Sequence, residues 1–395
     1  ALELIMRLSD ISFFSSRKEL KRYMNMENIM KKTLLKKLLS LTIVITLLAM
    51  PLTGCVSTSS STTATATHEC FNTVVTLTIN SCSGDESADD IINECFGLCY
   101  NYEKLFSRTK DSSDVSAINN SNGQPVEVKP VVAELIEDSI YYSELSNGAF
   151  DITIAPLSIL WNITGDNPSV PSSDDITNAL SHVNYENISV NDSTVTLADP
   201  EAKIDLGGIA KGFVADKIKS YMIQTGVTSA IINLGGNIVT IGGKKNGGNF
   251  NIGIQKPFGS SEEYSAIVKG SNLSIVTSGS YERYFKQDGK IYHHILDTKT
   301  GYPVDNRLLS VTIISEDSLS GDALSTTCFA LGLKKGMRLI ENTPEIEAVF
   351  IDKDYTIHTS SGLVLDEGED GVPTISVVSP ESLTEEVNEA EYFKS

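Results

Sequence analysis

The sequence reads as an α+β protein with one large hydrophobic domain. Strand-like and helix-like segments are mixed, without the strict alternation that builds an all-parallel sheet. Residues 73–79 (TVVTLTI) are β-branched and alternate in polarity, the pattern of a strand. Residues 88–106 and 131–145 carry apolar side chains at helical spacing. No long period repeats, and a hydrophobic part of roughly 300 residues is large for one core but within range.

The other elements follow in chain order. Ordered structure is expected to begin near Phe71. A loop rich in Pro, Ser and Asp around residues 167–174 leads to a short helix near 174–182 and short strands near 188–198. Residues 211–225 read as a helix stopped by Gly226. Strand-like runs punctuated by glycine dominate residues 229–315, and a further helix opens with Asp322 and runs to Gly332. From Asp366 the chain is acidic and interrupted by proline, as a loose tail would be.

The chain has 395 residues, 41% hydrophobic and 21% charged, which is ordinary for a globular protein. Its formal net charge of −20 argues against a nucleic-acid partner, because such a partner needs a basic surface. A phosphate-bearing small molecule remains compatible, since a metal ion or backbone N–H groups can hold phosphate inside an acidic protein. The charge is uneven. Of 31 basic and 51 acidic residues, nine and four fall in residues 1–54, which leaves 22 and 47 and a net of −25 for the rest.

The basic stretch reads as targeting sequence. Lys31, Lys32, Lys36 and Lys37 precede an apolar run over residues 38–52, and Leu52-Thr53-Gly54-Cys55 follows. That is a lipoprotein signal peptide over residues 30–54, with Cys55 lipidated as the mature N-terminus. A transmembrane anchor is the alternative, but the run is short and broken by Thr42, Thr46 and Pro51. Residues 1–29 fit neither part. Met30 is the better start, and what precedes it reads as upstream translated sequence. Residues 55–69 read as a tether, with VSTSSSTTATAT offering nothing to bury. The expected location is the cell membrane, lipid-anchored and facing the extracytoplasmic side. The five remaining cysteines, Cys70, Cys82, Cys95, Cys99 and Cys328, are odd in number and lack a CxxC pair. They read as small buried hydrophobes rather than a disulfide framework or a zinc set.

Four glycine-bearing segments carry the chemistry. They are Gly148-Ala149-Phe150-Asp151-Ile152-Thr153, then Asp205-Leu206-Gly207-Gly208-Ile209-Ala210-Lys211-Gly212, then Asn233-Leu234-Gly235-Gly236-Asn237, and His293-His294-Ile295-Leu296-Asp297 before Thr300-Gly301. In the second, glycines at a strand-to-helix junction let backbone approach a ligand, and the helix N-terminus favours an anion. Lys211 then sits where it could touch phosphate, and Asp205 could accept from a base or ribose. The spacing matches neither GxGxxG nor GxxxxGK[ST]. A tight turn with a solvent lysine explains it equally well. Asp322 and Thr326, four apart at the start of the expected helix, share a face. A carboxylate and a hydroxyl there suit a hard cation such as Mg²⁺. A capping Asp and a helix Thr bonding back to the backbone are the alternative, and spacing alone favours it. His294 could serve as acid/base, although a buried, satisfied histidine is the simpler role. Asp151 and Asp297 could simply bond backbone amides in their turns.

Taken in order, these segments and four others resemble the ApbE-type FAD:protein FMN transferases over residues 71–362. The four others are Phe71-Asn72-Thr73, Ser113-Asp114-Val115-Ser116 running to Asn119, Thr277-Ser278-Gly279-Ser280-Tyr281-Glu282-Arg283, and Ser310-Val311-Thr312 followed by Asp322-Ala323-Leu324-Ser325-Thr326. Each is weak alone, but eight in family order are specific. The resemblance implies one flavin-transferase domain over residues 70–365, with two subdomains around an FAD cleft and an acidic tail over 366–395. It implies metal ligation by the Gly208 carbonyl, Asp322 and Thr326. It implies FAD contacts from Ala149, Phe150, Asp151, Asp205, Lys211 and Leu296, and His294 as catalytic acid/base, with His293 not required. Thr298 departs from the family's usual proline. The implied reaction moves FMN from FAD to a threonine of an exported acceptor protein with Mg²⁺, releasing AMP. An FAD pyrophosphatase and a non-catalytic flavin-trafficking lipoprotein are the alternatives.

Overall fold

The computed structural model of the protein describes residues 64–377, and these fall in one compact unit. The signal peptide, Cys55, residues 1–29 and the chain after Val377 lie outside the described residues.

In chain order the strands are β1 (Ala64–Cys70), β2 (Thr73–Cys82), β3 (Val126–Glu127), β4 (Ile188–Asn191), β5 (Thr194–Leu197), β6 (Val227–Leu234), β7 (Asn237–Ile241), β8 (Phe250–Gln255), β9 (Tyr264–Gly270), β10 (Ser274–Gly279), β11 (Tyr284–Gln287), β12 (Lys290–His293), β13 (Leu308–Ser315), β14 (Glu347–Asp352), β15 (Ile357–Thr359), β16 (Leu363–Asp366) and β17 (Thr374–Val377). The helices are α1 (Ala88–Phe106), α2 (Asp114–Asn119), α3 (Pro130–Leu145), α4 (Ala155–Trp161), α5 (Ser173–Leu180), α6 (Ala210–Gln224), α7 (Ser318–Leu331) and α8 (Leu333–Glu341).

The centre is an eight-stranded sheet in the order β1-β2-β6-β7-β10-β13-β14-β15. Every neighbouring pair runs antiparallel. Period-2 alternation sends successive side chains to opposite faces. In β14, Ala348 and Phe350 join the core under the helices, while Val349 and Ile351 join a second core. That second core lies against a four-stranded sheet, β16-β17-β9-β8, which supplies Phe250, Ile252, Ile254, Ala266, Val268 and Ile375. Both faces of the central sheet are therefore covered, and β13 is buried at every position.

Helices α1, α6 and α7 pack on the other face. α1 spans the residues its periodicity predicts. Ser87 caps it by accepting from Asp90 N, and it buries Ile91, Ile92, Cys95, Phe96 and Cys99. α6 meets α7 closely because Gly212 has no side chain. A Cβ there would stand 2.1 Å from the Ser318 carbonyl oxygen. A third, smaller core gathers Leu157 and Trp161 of α4, Ile176 and Ala179 of α5, Phe285 of β11 and Leu296. The β11–β12 hairpin in this lobe turns at Asp288-Gly289, both with positive φ (51° and 76°), as a two-residue hairpin turn requires. The five cysteines after Cys55 are unpaired, and four of them are buried.

Three expectations need correction. Residues 64–69 are strand β1, not tether. Their alternating Thr and Ala zip against β2 from Ala64↔Ile79 to Cys70↔Thr73, so backbone pairing orders a segment with little to bury. The chain after Asp366 is not wholly loose. β17 pairs with β9 in parallel and buries Thr374 and Ile375. Helix α7 starts at Ser318, capped by Asp317, so Asp322 sits inside the helix rather than at its start. The small residues Ser318, Ser320 and Gly321 hid its first turn from a hydrophobicity reading.

Candidate active site

One cleft, a cavity of about 340 Å³, collects every site residue expected within the described chain. Ala149, Phe150, Asp151, Asp205, Gly208, Lys211, His294, Leu296, Asp322 and Thr326 all line it. Its volume falls in the usual range for small-molecule sites, about 300–1,000 Å³. The helix-and-sheet body supplies one wall through α6, α7 and β10. The smaller lobe supplies the other through the loop before α4 and the loop after β12.

Asp322 is the most buried of the three carboxylates expected at the site. Its side chain is 4% exposed. Its Oδ2 accepts from Gly212 N at 2.9 Å, and Lys211 Nζ lies 3.1 Å from its Oδ1. The N-terminus of α6 has no side-chain cap of its own, so a carboxylate from α7 satisfies one of its free N–H groups. Capping of its own helix is excluded, because Asp317 does that work. Lys211 Nζ also donates to the Gly207 carbonyl at 3.3 Å.

Thr326 lies one turn beyond Asp322 on the same face. Its Oγ1 is 3.1 Å from Ser278 Oγ on β10. A Cβ placed on Gly208 would stand 3.9 Å from that hydroxyl oxygen, so the glycine turn and Thr326 are neighbours. The carboxylate, the hydroxyl and the backbone carbonyl are all oxygen donors. The set fits a hard cation, and the Lys211 ammonium shows that the carboxylate already attracts positive charge.

Asp205 and Asp151 divide differently. Asp205 Oδ1 accepts from Gly207 N at 2.9 Å, and its Oδ2 pairs with Arg108 Nε at 2.6 Å. Arg108 is a cleft residue that sequence reasoning left unassigned, because its partner is 97 positions away. Asp151 turns inward. Its Oδ1 takes Thr153 N and Thr153 Oγ1, and its Oδ2 takes Tyr185 N. Burial pushes its pKa up against those three bonds. Its side chain holds the loop that presents Ala149 and Phe150, so the turn role is the one observed. Asp297 likewise accepts from Lys299 N and Thr300 N. Thr298, in place of the usual proline, donates to the Gly148 carbonyl at 2.6 Å and ties the two loops of the smaller lobe together.

The adjacent histidines separate cleanly. His293 is buried, with Nε2 donating to the Val304 carbonyl at 2.9 Å and Nδ1 accepting from Ile295 N at 3.3 Å. Burial lowers its pKa, so it stays neutral. It is the satisfied core histidine that was one of the two readings of His294. His294 lies in the cleft wall, half-buried, with Nδ1 donating to the Arg283 carbonyl at 3.3 Å. Desolvation, and then the charge of Arg283, push its pKa down to about 3. Among the described residues no protein group bonds Nε2, which leaves a lone pair available. Glu282 and Arg283, quoted above only as motif residues, also line the cleft.

Comparisons with known proteins identify the family. The ApbE family model matches residues 71–350. An FAD:protein FMN transferase of Klebsiella pneumoniae is 40% identical over 274 residues, covering 69% of this chain and 85% of its own. One of Treponema pallidum is 35% identical over 289 residues, covering 69% and 80%. Among solved structures, the ApbE protein of Thermotoga maritima superposes with a TM-score of 0.71 at 31% identity, covering 76% of this chain and 97% of that one. The flavin transferase ApbE of Vibrio cholerae gives a TM-score of 0.68 at 26% identity, with the same coverage. With the cleft, the ordered motifs and these matches together, the chain belongs to the ApbE family.

Proposed function

We propose that this protein transfers the FMN half of FAD to a threonine hydroxyl of an exported acceptor protein, using Mg²⁺ and releasing AMP. The observation that carries this reading is one cleft holding both an all-oxygen donor set, Gly208, Asp322 and Thr326, and an imidazole with a free Nε2, His294. The names of the relatives, FAD:protein FMN transferases, support the same reaction.

The pyrophosphate would lie along the Gly207-Gly208 turn at the N-terminus of α6, where backbone N–H groups favour an anion. Bound Mg²⁺ would neutralise charge building on the phosphate oxygens. Lys211, now paired with Asp322, is within reach of the same phosphates. Arg108 and Asp205 hold the far side of the turn in place. The acceptor threonine Oγ attacks the FMN-side phosphorus. One P–O bond forms, and the P–O bond to AMP breaks, with the electron pair leaving on AMP. His294 Nε2 takes the hydroxyl proton. The negative pyrophosphate would raise the basicity of this imidazole from its depressed value.

The test is incubation with FAD, Mg²⁺ and a candidate acceptor. Flavin fluorescence is expected on the denatured acceptor, with AMP in solution. Free FMN equal to AMP, with a dark acceptor, would mean that water is the nucleophile and the protein is a pyrophosphatase. Bound FAD without AMP would leave only flavin trafficking. Lipid anchoring through Cys55 on the extracytoplasmic side completes the proposal. Labelled fatty acid should enter the wild type and not Cys55→Ala.

A further inference from the structure

We infer that Ser278 is a positioning residue that fixes the direction of the Thr326 hydroxyl, so that its lone pairs face the cleft. This inference rests on the reading of Thr326 as a cation ligand. Three hydroxyls meet at the cleft wall, Ser278 and Thr326 lining it and Ser325 buried beneath them. Ser278 Oγ is 2.8 Å from Ser325 Oγ and 3.1 Å from Thr326 Oγ1. Distances alone leave each donor open, but proton counting settles them. Ser325 Oγ donates its single hydrogen to the Asp322 carbonyl at 3.0 Å, so towards Ser278 it can only accept. Ser278 therefore donates to Ser325, and its own hydrogen is spent. Towards Thr326, Ser278 can then only accept, so Thr326 must donate.

The chain of hydrogens runs Thr326 to Ser278 to Ser325 to the Asp322 carbonyl. It begins and ends on the helix that carries both side-chain oxygens of the donor set. A hydroxyl ligates a cation through a lone pair, and a proton aimed at the metal would repel it. The relay removes that orientation. Ser325 is fully buried, which holds the relay's inner end in one state. The sequence motif that contains Ser278 gives it no role toward Thr326, because the two lie 48 positions apart on different elements.

Outer partners of metal ligands typically contribute about 10–100-fold to metal affinity or activity. The test uses the full chain and Mn²⁺ alone, with free Mn²⁺ followed by electron paramagnetic resonance. Ser278→Ala is expected to weaken Mn²⁺ binding about 10-fold, with the melting temperature of the metal-free protein near the wild-type value. Ser278→Thr, which keeps the hydroxyl, should restore affinity. In a Thr326→Val background, Ser278→Ala should have no further effect, because Ser278 acts through Thr326. Thr326→Val that binds Mn²⁺ as the wild type does would overturn the ligand reading itself. Thr326→Val that binds weakly beside a Ser278→Ala that binds normally would overturn the relay alone. Equal losses in Ser278→Ala and Ser278→Thr would show that space, not hydrogen direction, matters at this position, which also overturns it.

Discussion

The two walls of the cleft each bury a carboxylate, and they use it in opposite ways. In the smaller lobe Asp151 accepts three hydrogen bonds from its own loop and from Tyr185, which take up most of its acceptor capacity. In the larger body Asp322 accepts from one backbone N–H and shares the rest of its charge with a mobile type of partner, a lysine side chain. A lysine can give way to another cation, but a closed turn cannot. Burial alone therefore does not mark a functional carboxylate. What marks it is burial with bonding capacity that local backbone does not consume.

The contrast can be broken by substitution. The largest effect is expected for Asp322→Asn, which keeps an acceptor for Gly212 N but removes the charge. Mg²⁺-dependent AMP release should vanish while the protein stays folded. Full activity with the metal chelated would show that this wall does not hold a metal. Next, His294→Asn should lower turnover by about 10²–10⁴-fold, with FAD affinity and melting temperature near normal. His293→Asn should do the reverse, lowering the melting temperature with little effect on turnover of the folded protein. The resemblance left His293 as a position not required; its burial and two hydrogen bonds are the reason to expect an effect on folding. Exchange of the two phenotypes would place the family register one residue away.

A smaller effect is expected for Asp151→Asn. The amide can still accept from Thr153, but its NH₂ would face Tyr185 N, donor against donor. The cost is about 1–3 kcal/mol of stability. Thermal melting should show the loss, and kcat of the folded fraction should hold. A large drop in kcat at unchanged melting temperature would return Asp151 to direct ligand work. The smallest effect is in pH. His293 has a lowered pKa in the fold, so below about 6.5 the unfolded chain binds more protons than the folded one. Its contribution to stability is complete above that pH and is lost as pH falls through the window below it. His293→Gln should melt lower at pH 7.5 yet show a shallower decline between pH 6.5 and 5. An unchanged slope would mean that other groups set the acid limb.

Much of this was legible in the sequence, for identifiable reasons. α1, α3 and α6 carry clear periodicity and stop signals, and their ends fall within a residue of those expected. β1 and β17 were not legible, because each is ordered by pairing with a strand whose identity its own composition does not disclose. The start of α7 was missed because its first turn is small and polar. At the site, all ten residues that the ordered motifs pointed to line the cleft. The long-range pairings were invisible. Arg108 with Asp205, and Ser278 with Thr326, depend on elements distant in the chain. Of the two readings of His294, the buried and satisfied histidine turned out to be its neighbour His293, while His294 stands in the cleft wall; only the fold could separate the two positions.

That pair sits where β12 ends, and this has a consequence for insertions and deletions. His293 is the last residue of the strand, paired with Tyr284, and His294 is the next, its N–H bonded to the Arg283 carbonyl. Adjacent positions on an extended chain face opposite ways, so a one-residue slip exchanges core and cleft. The tight Asp288-Gly289 turn leaves no slack in which to absorb such a slip. The hairpin therefore sets a parity rule. Lengthening both arms together by one paired position can preserve the assignment at its base. Adding or removing a single residue in β12 sends the core imidazole into the cleft and the cleft imidazole into the core. Homologous hairpins should accordingly differ in length by even steps, with odd changes confined to the loops on either side.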